Sequence, residues 1–115
     1  MFELKKSEIL RGKKEFNAVH NRGRSVANHA LVLLVVRDES YNGKVGFAAG
    51  KKLGCAVIRN RVKRLMREVY RLNKNSLRRD FGMILVGRKF LVKAKFADAE
   101  KAFLDLCKRA ALLKQ

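Results

Sequence analysis

The sequence predicts an α+β fold: a single-domain α/β sandwich, in the order α-β-β-α-β-α, with helices packed on a small central sheet. Three observations carry this. LVLLVV at Leu31–Val36 is a continuous apolar run of the kind found in a strand covered on both faces, and DFGMILVG at 80–87 reads as a further strand. Between them, Ala56–Asn73 repeats its apolar residues at helical spacing. The 115 residues hold no internal repeat, low-complexity tract or linker, so 1–115 is expected to be one domain.

A first helix is expected over residues 13–22, where Phe16, Val19 and His20 recur at helical spacing and Gly23 supplies a stop. Residues 25–37 read as one long strand, covered on both faces near its end. DESYNG at 38–43 has turn chemistry, with Asn42 and Gly43 suited to positive φ. Residues 44–49 follow as a second strand, expected to run antiparallel to the first. Gly50 and Gly54 bracket a basic KKL, and the central helix is placed at Ala56–Asn73. Residues 74–79 are a polar loop, and 80–87 form a third strand that ends at Arg88 and Lys89. The last helix is expected over 96–113, with the stripe Ala99, Phe103, Leu106, Ala110 and Leu113 facing the sheet.

Charge narrows the function. Lys and Arg number 28 against 10 Asp and Glu, giving a net charge of +18, and the pI is near 10.7. Such a field makes a nucleic acid the first partner to consider. No membrane partner is expected, because the longest apolar run, 30–36, is far short of the ~18 residues of a span. A hydrophobic content of 48% is enough for a genuine core rather than a disordered basic tail. The N-terminal stretch has no apolar signal core and carries Glu3, Glu8 and Glu15, so a cytoplasmic location is expected. Cys55 and Cys107 lie far apart and His20 and His29 are the only histidines, so no zinc spacing exists and free thiols are expected. Cys107 falls on an apolar helical face and reads as a small buried hydrophobe.

The central helix concentrates this charge. At roughly 100° per residue, Ile58, Val62, Leu65, Val69 and Leu72 fall on one arc, and Arg59, Lys63, Arg64, Arg67 and Arg71 on the opposite one. Asn60 sits within the basic arc, where it both donates and accepts hydrogen bonds. An ordinary solvated face mixes signs, because like charges at i, i+4 oppose a helix. Glu68 is the only acid between Lys51 and Arg71, so the ladder Arg59, Lys63, Arg67, Arg71 calls for an outside polyanion.

Catalytic and metal-binding patterns are missing. GFAAGKKLG fails as a phosphate loop: three residues rather than four separate Gly46 from Gly50, and Lys52 stands where a hydroxyl should follow Lys51. The DFG at 80–82 has no kinase context. Carboxylates and histidines are too few and scattered for nuclease chemistry, so neither a protein active site nor a metal site is expected. Phe16 and His20, one helical turn apart and flanked by Lys13, Lys14, Arg22 and Arg24, could stack the bases of a single strand. Periodicity alone favours a core role for Phe16.

The stretch GFAAGKKLGCAVIRNRVKRLMREVYR, 46–71, closely resembles the signature of the bacterial ribonuclease P protein subunit, with Arg59, Asn60 and Arg61 as its RNR core. The resemblance extends to the segment ending at Phe16, to 23–28 and to the strand before Arg88. It implies a magnesium-dependent catalytic RNA that removes the 5′ leader of precursor tRNA, with the protein as accessory and the magnesium bound mainly by RNA. No organic cofactor is implied, and one protein per RNA is expected. Carried onto this chain, Lys51, Lys52, Arg59, Asn60, Arg61, Lys63, Arg64 and Arg67 would face RNA, joined by Arg71 of the ladder. Phe16, with His20, Lys13 and Arg24, would face the leader. His20 and Leu34 stand where the family often has aromatics, and Cys55 where it has small or polar residues. The resemblance also implies a left-handed βαβ crossover of ribosomal-protein type around the central helix, against the usual hand. The alternative is a structural, ribosomal-type RNA-binding protein. A DNA-binding basic helix is weaker, since no dimerising zipper follows it.

Overall fold

The computed structural model describes residues 4–10 and 12–114, without the side chains of residues 12, 13 and 20. Strand β4 (Gly82–Gly87) carries the MILV run and is buried at every residue but Val86, so it needs a neighbour on each side. It has them: the sheet order is β1 (Arg24–Ala27), β2 (Leu31–Val36), β4, β3 (Val45–Ala49). β1 with β2 and β2 with β4 are antiparallel, and β3 with β4 is parallel. Helix α1 (Gly12–Arg22) covers one face, where Leu10, Val19, Val36 and Ile84 form a small core with Phe16 and Leu34 against it. Helices α2 (Ala56–Asn73) and α3 (Phe96–Arg109) cover the other face and enclose the larger core around Val62, Met66, Leu85 and Phe103. The long amphipathic segment forms α2 over the residues expected, and α2 is the crossover between the parallel neighbours β3 and β4.

Two expectations are corrected. The single long strand of 25–37 is two strands of a hairpin. Asn28 breaks it, its Oδ1 accepting from the backbone N–H of Ala30 (3.0 Å) and Leu31 (3.1 Å) while its Nδ2 donates to the Ala102 carbonyl at 3.0 Å. A side chain that satisfies backbone donors offers the chain a turn in place of a ladder. The strand of 44–49 runs antiparallel to β2, as expected, but is not its neighbour: β4 lies between them, antiparallel to β2 and parallel to β3. The last helix stops at Arg109 rather than running on to 113. Ala111 takes φ 58°, and the Leu112 N–H donates to the Cys107 carbonyl at 2.8 Å. A left-handed alanine costs about 1–2 kcal/mol, offset by complete burial of Leu112 and by Leu113 bridging to Leu77.

Candidate nucleic-acid interface

The side chains that α2 buries are Val62, Met66, Val69 and Tyr70. Their arc is turned from the expected apolar one toward Arg59, which at roughly 100° per residue falls between Met66 and Tyr70. Arg59 is accordingly half-buried, its Nε enclosed and without a hydrogen-bond partner among the described residues. Asn60, Lys63, Arg64 and Arg67 are exposed. Arg71 is clamped by Glu68 through Nη2 to Oε2 at 2.9 Å and Nε to Oε1 at 3.1 Å. The Arg71 hydrogen bond holds the Glu68 carboxyl below the usual carboxylate range. The ladder thus has two fully presented rungs, Lys63 and Arg67, with one half-buried and one neutralised.

Those rungs line an open groove of about 370 Å³ together with Asn60, Arg64, Phe16, Phe47, Ile9 and Leu10. Phe16 serves both roles left open by its periodicity. It packs against the small core and lies so close over Gly46 that a Cβ there would stand 2.8 Å from its Cζ, yet it remains part of the groove wall. The absence of a side chain at Gly46 lets the ring approach the backbone of β3. Phe47 is on the opposite face of that edge strand. It meets Tyr70 edge-on at 6.1 Å, and the Arg67 guanidinium lies over its ring at 5.8 Å, a distance at which cation and π face attract.

The N-terminal arm closes one end of the groove. The Leu10 N–H donates to the Val45 carbonyl at 2.8 Å, and Ile9 bridges to Val45 in parallel. The arm is pinned by Glu8, whose carboxylate receives Lys74 Nζ at 3.0 Å in a buried pair. Phe47, Ile9 and Leu10 are groove residues that sequence reasoning missed. Phe47 lay in view, an aromatic within the GFAAG stretch directly before the basic helix. Nothing local marks Ile9 and Leu10, which reach the groove only through a bridge to a strand some 36 residues on.

The remaining expected residues scatter. Lys51 and Lys52 are exposed on a 3-10 turn before α2. Exposed Arg61 donates from Nη1 to the Val92 carbonyl at 3.2 Å. Arg24 is not brought to Phe16: it lines a separate hollow of about 660 Å³ with Arg22, Val26, Val35, Arg37 and Arg109. The side chains of Lys13 and His20 lie outside the described residues. Cys55 is exposed ahead of α2, and backbone N–H groups of Ile58 and Val57 lower its thiol pKa. Among the described residues no group of three or more His, Cys, Asp or Glu lies together, and no helix is long and apolar enough to cross a membrane.

A cationic helix beside a groove walled by two phenylalanines, on a mixed four-stranded sheet, has the chemistry of a nucleic-acid-binding protein. A ribonuclease P family profile matches residues 4–111. The ribonuclease P protein component of Natranaerobius thermophilus is 38% identical over 111 residues, covering 95% of this chain and 96% of the relative. That of Alkaliphilus oremlandii is 36% identical over 110 residues, 96% of each chain. The RNase P protein from Thermotoga maritima superimposes with a TM-score of 0.76 at 30% identity, over 89% of this chain and 96% of that one. The Staphylococcus aureus RNase P protein shares the fold, with a TM-score of 0.83 over 95% of this chain and 100% of its own, at 24% identity. The chain belongs to the ribonuclease P protein family, and its role is that of an RNA-binding subunit in tRNA 5′ processing.

Proposed function

We propose that this chain, acting in the cytoplasm as one domain and one copy per RNA, holds the 5′ leader of precursor tRNA against the catalytic RNA that cleaves it. The groove carries this reading: Phe16 and Phe47 offer ring surface to bases, and Lys63, Arg64 and Arg67 offer cations to the phosphates beside them. Stacking is indifferent to base identity, which suits leaders of varied sequence. Lys51, Lys52 and Arg61, outside the groove, face the catalytic RNA with the exposed part of α2. Arg59 acts from the margin of that face and Arg71 only weakly, since Glu68 already answers its charge. Lys13 and His20 remain assigned to the leader by resemblance, whereas Arg24 meets RNA from its own hollow.

Hydrolysis of the phosphodiester belongs to the RNA, with magnesium held mainly by its phosphates and no organic cofactor. The protein's contribution is electrostatic. Ribozyme and substrate repel one another, and a net charge of +18 placed between them lowers that repulsion while releasing counterions. Leader removal from precursor tRNA by the cognate RNA should therefore proceed at lower magnesium when the protein is added, and the RNA-free protein should cleave nothing. Cleavage by the protein alone would overturn the reading. A ribosomal-type role predicts instead that the protein brings down ribosomal RNA and leaves the magnesium requirement unchanged.

A further inference from the structure

Phe90 and Val57 are the exposed large hydrophobic residues among those described, and Phe90 is 42% exposed. Its exposure does not come from a loose segment. Phe90 lies in a 3-10 turn, Lys89–Val92, whose next residue, Leu91, is 1% exposed. That turn is tied to the β1–β2 turn: the Arg88 N–H donates to the Ala30 carbonyl at 2.9 Å, and Arg88 Nη1 to the Asn28 carbonyl at 2.9 Å. Across this junction Phe90 meets exposed His29, with ring centroids 4.5 Å apart and planes at 82°. An edge-on pair covers at most one face of each ring, so a rigid aromatic step is left with ring surface open to solvent.

Its surroundings select the occupant. Val57 is the other exposed large hydrophobic among the described residues, and two such side chains offer an apolar area far below what a protein partner needs. Arg88, Lys89 and Lys93 are exposed on the same stretch of chain. The turn also packs on α2 and on the Lys51–Leu53 turn, and Arg61 of the RNR motif donates to its Val92 carbonyl. A lone aromatic step edged by cations and joined to a cationic helix suits one nucleobase with phosphates on either side.

We propose that Phe90 and His29 form a stacking step for an unpaired base of the catalytic RNA, so that the interface of α2 continues across the Lys89–Val92 turn. This rests on the reading of the chain as the subunit of an RNA enzyme. The hollow of about 550 Å³ beside the step carries Asp98 and Asp105 as well as Lys101 and Lys108, so its charges balance. Phe90 and His29 themselves therefore bind by stacking, and the phosphate contacts fall to Arg88, Lys89 and Lys93.

The chain contains no tryptophan, so Phe90→Trp introduces a unique fluorophore at the step. Adding cognate catalytic RNA should quench its emission, as a stacked base does. Phe90→Ala should weaken binding of that RNA by about 5- to 150-fold, the range that base–aromatic stacking supports. The slope of log affinity against log salt should stay unchanged. Phe90→Leu, which keeps the apolar bulk but has no π face, should behave like alanine, and His29→Ala should act in the same direction. Wild-type affinity in Phe90→Leu, a reduced salt slope, or silent emission on binding would each overturn the proposal. Quenching by precursor tRNA alone, with none from the catalytic RNA, would assign the step to substrate and overturn it equally. If the wild-type chain does not bind the catalytic RNA, the underlying reading fails and this one with it, whereas binding with a silent Phe90 sinks only the step.

Discussion

Glu8 and Lys74 are 66 residues apart in sequence, and their side chains meet at 3.0 Å with 10% and 7% of their surface exposed. Arg79 Nη2 reaches the same carboxylate at 3.3 Å, and the Lys5 N–H donates to it at 3.1 Å. This pair pins the N-terminal arm beside the end of α2, so that Leu10 can bond to β3 and wall the groove. A buried polar contact outside the groove thus holds part of the binding site in place.

Removing one partner of a buried ion pair costs about 3–5 kcal/mol. Glu8→Ala should lower unfolding free energy by that order in a urea titration, and weaken leader binding as the arm loosens. Burial by itself raises the Glu8 pKa, but hydrogen bonds from Lys74, Lys5 and Arg79 and the Lys74 charge outweigh it and hold it below the ordinary 4.5. A depressed folded pKa contributes stability that is present above the unfolded value and lost as pH falls through the folded one. The stability gap between wild type and Glu8→Gln should therefore be full above about pH 4.5 and close below it.

Lys63 is exposed and has no acidic partner among the described residues, whereas Arg71 is clamped to Glu68. Lys63→Ala should reduce the slope of log RNA affinity against log salt by about 1. Arg71→Ala should change it much less. Equal slopes for the two variants would mean that the Glu68 clamp opens on binding.

Gly46→Ala would set a methyl 2.8 Å from the Phe16 ring. Overpacking of this kind costs about 1–3 kcal/mol. The variant should melt at lower temperature, and should lose affinity for leader-bearing precursor tRNA more than for leaderless tRNA. An equal loss for both would confine Phe16 to packing.

Asn28→Ala removes two contacts accepted from Ala30 and Leu31 within the β1–β2 turn and the one donor contact that joins the turn to α3 at Ala102. Unsatisfied buried groups cost about 1–3 kcal/mol each. Stability should fall by at least that much in denaturant unfolding, while the salt slope of RNA binding stays unchanged.

Cys55 is exposed with its thiol pKa lowered by the backbone N–H groups at the start of α2, whereas burial pushes Cys107 up to about 12. Since the thiolate is the nucleophile, alkylation of the folded protein near pH 8 should label Cys55 and spare Cys107. Mass spectrometry of the peptides reads the outcome. Prompt labelling of Cys107 would show that the core around α3 opens.

The residues that were legible one by one are those whose environment is set by near neighbours. Helix α2 begins and ends where its apolar period does, and its cations are visible as cations before any fold is known. What escaped depends on distant partners. Asn28 makes a turn because Ala102 and two backbone amides converge on it, and no glycine or proline advertises the break. Ala111 turns left-handed so that Leu112 can be buried, which the stripe on α3 does not foretell.

By itself the sequence determined the α+β class, the span of α2, the excess of positive charge and the family signature, because periodicity, composition and motif spacing are read along the chain. Only the tertiary structure decided that β4 separates β2 from β3, that Arg59 is half-buried, that Arg71 is neutralised, and that Phe16, Phe47 and α2 share one groove. Strand order and the rotation of a helix against its sheet are chosen by which buried surfaces fit together. That choice joins residues dozens of positions apart, and no local pattern encodes it.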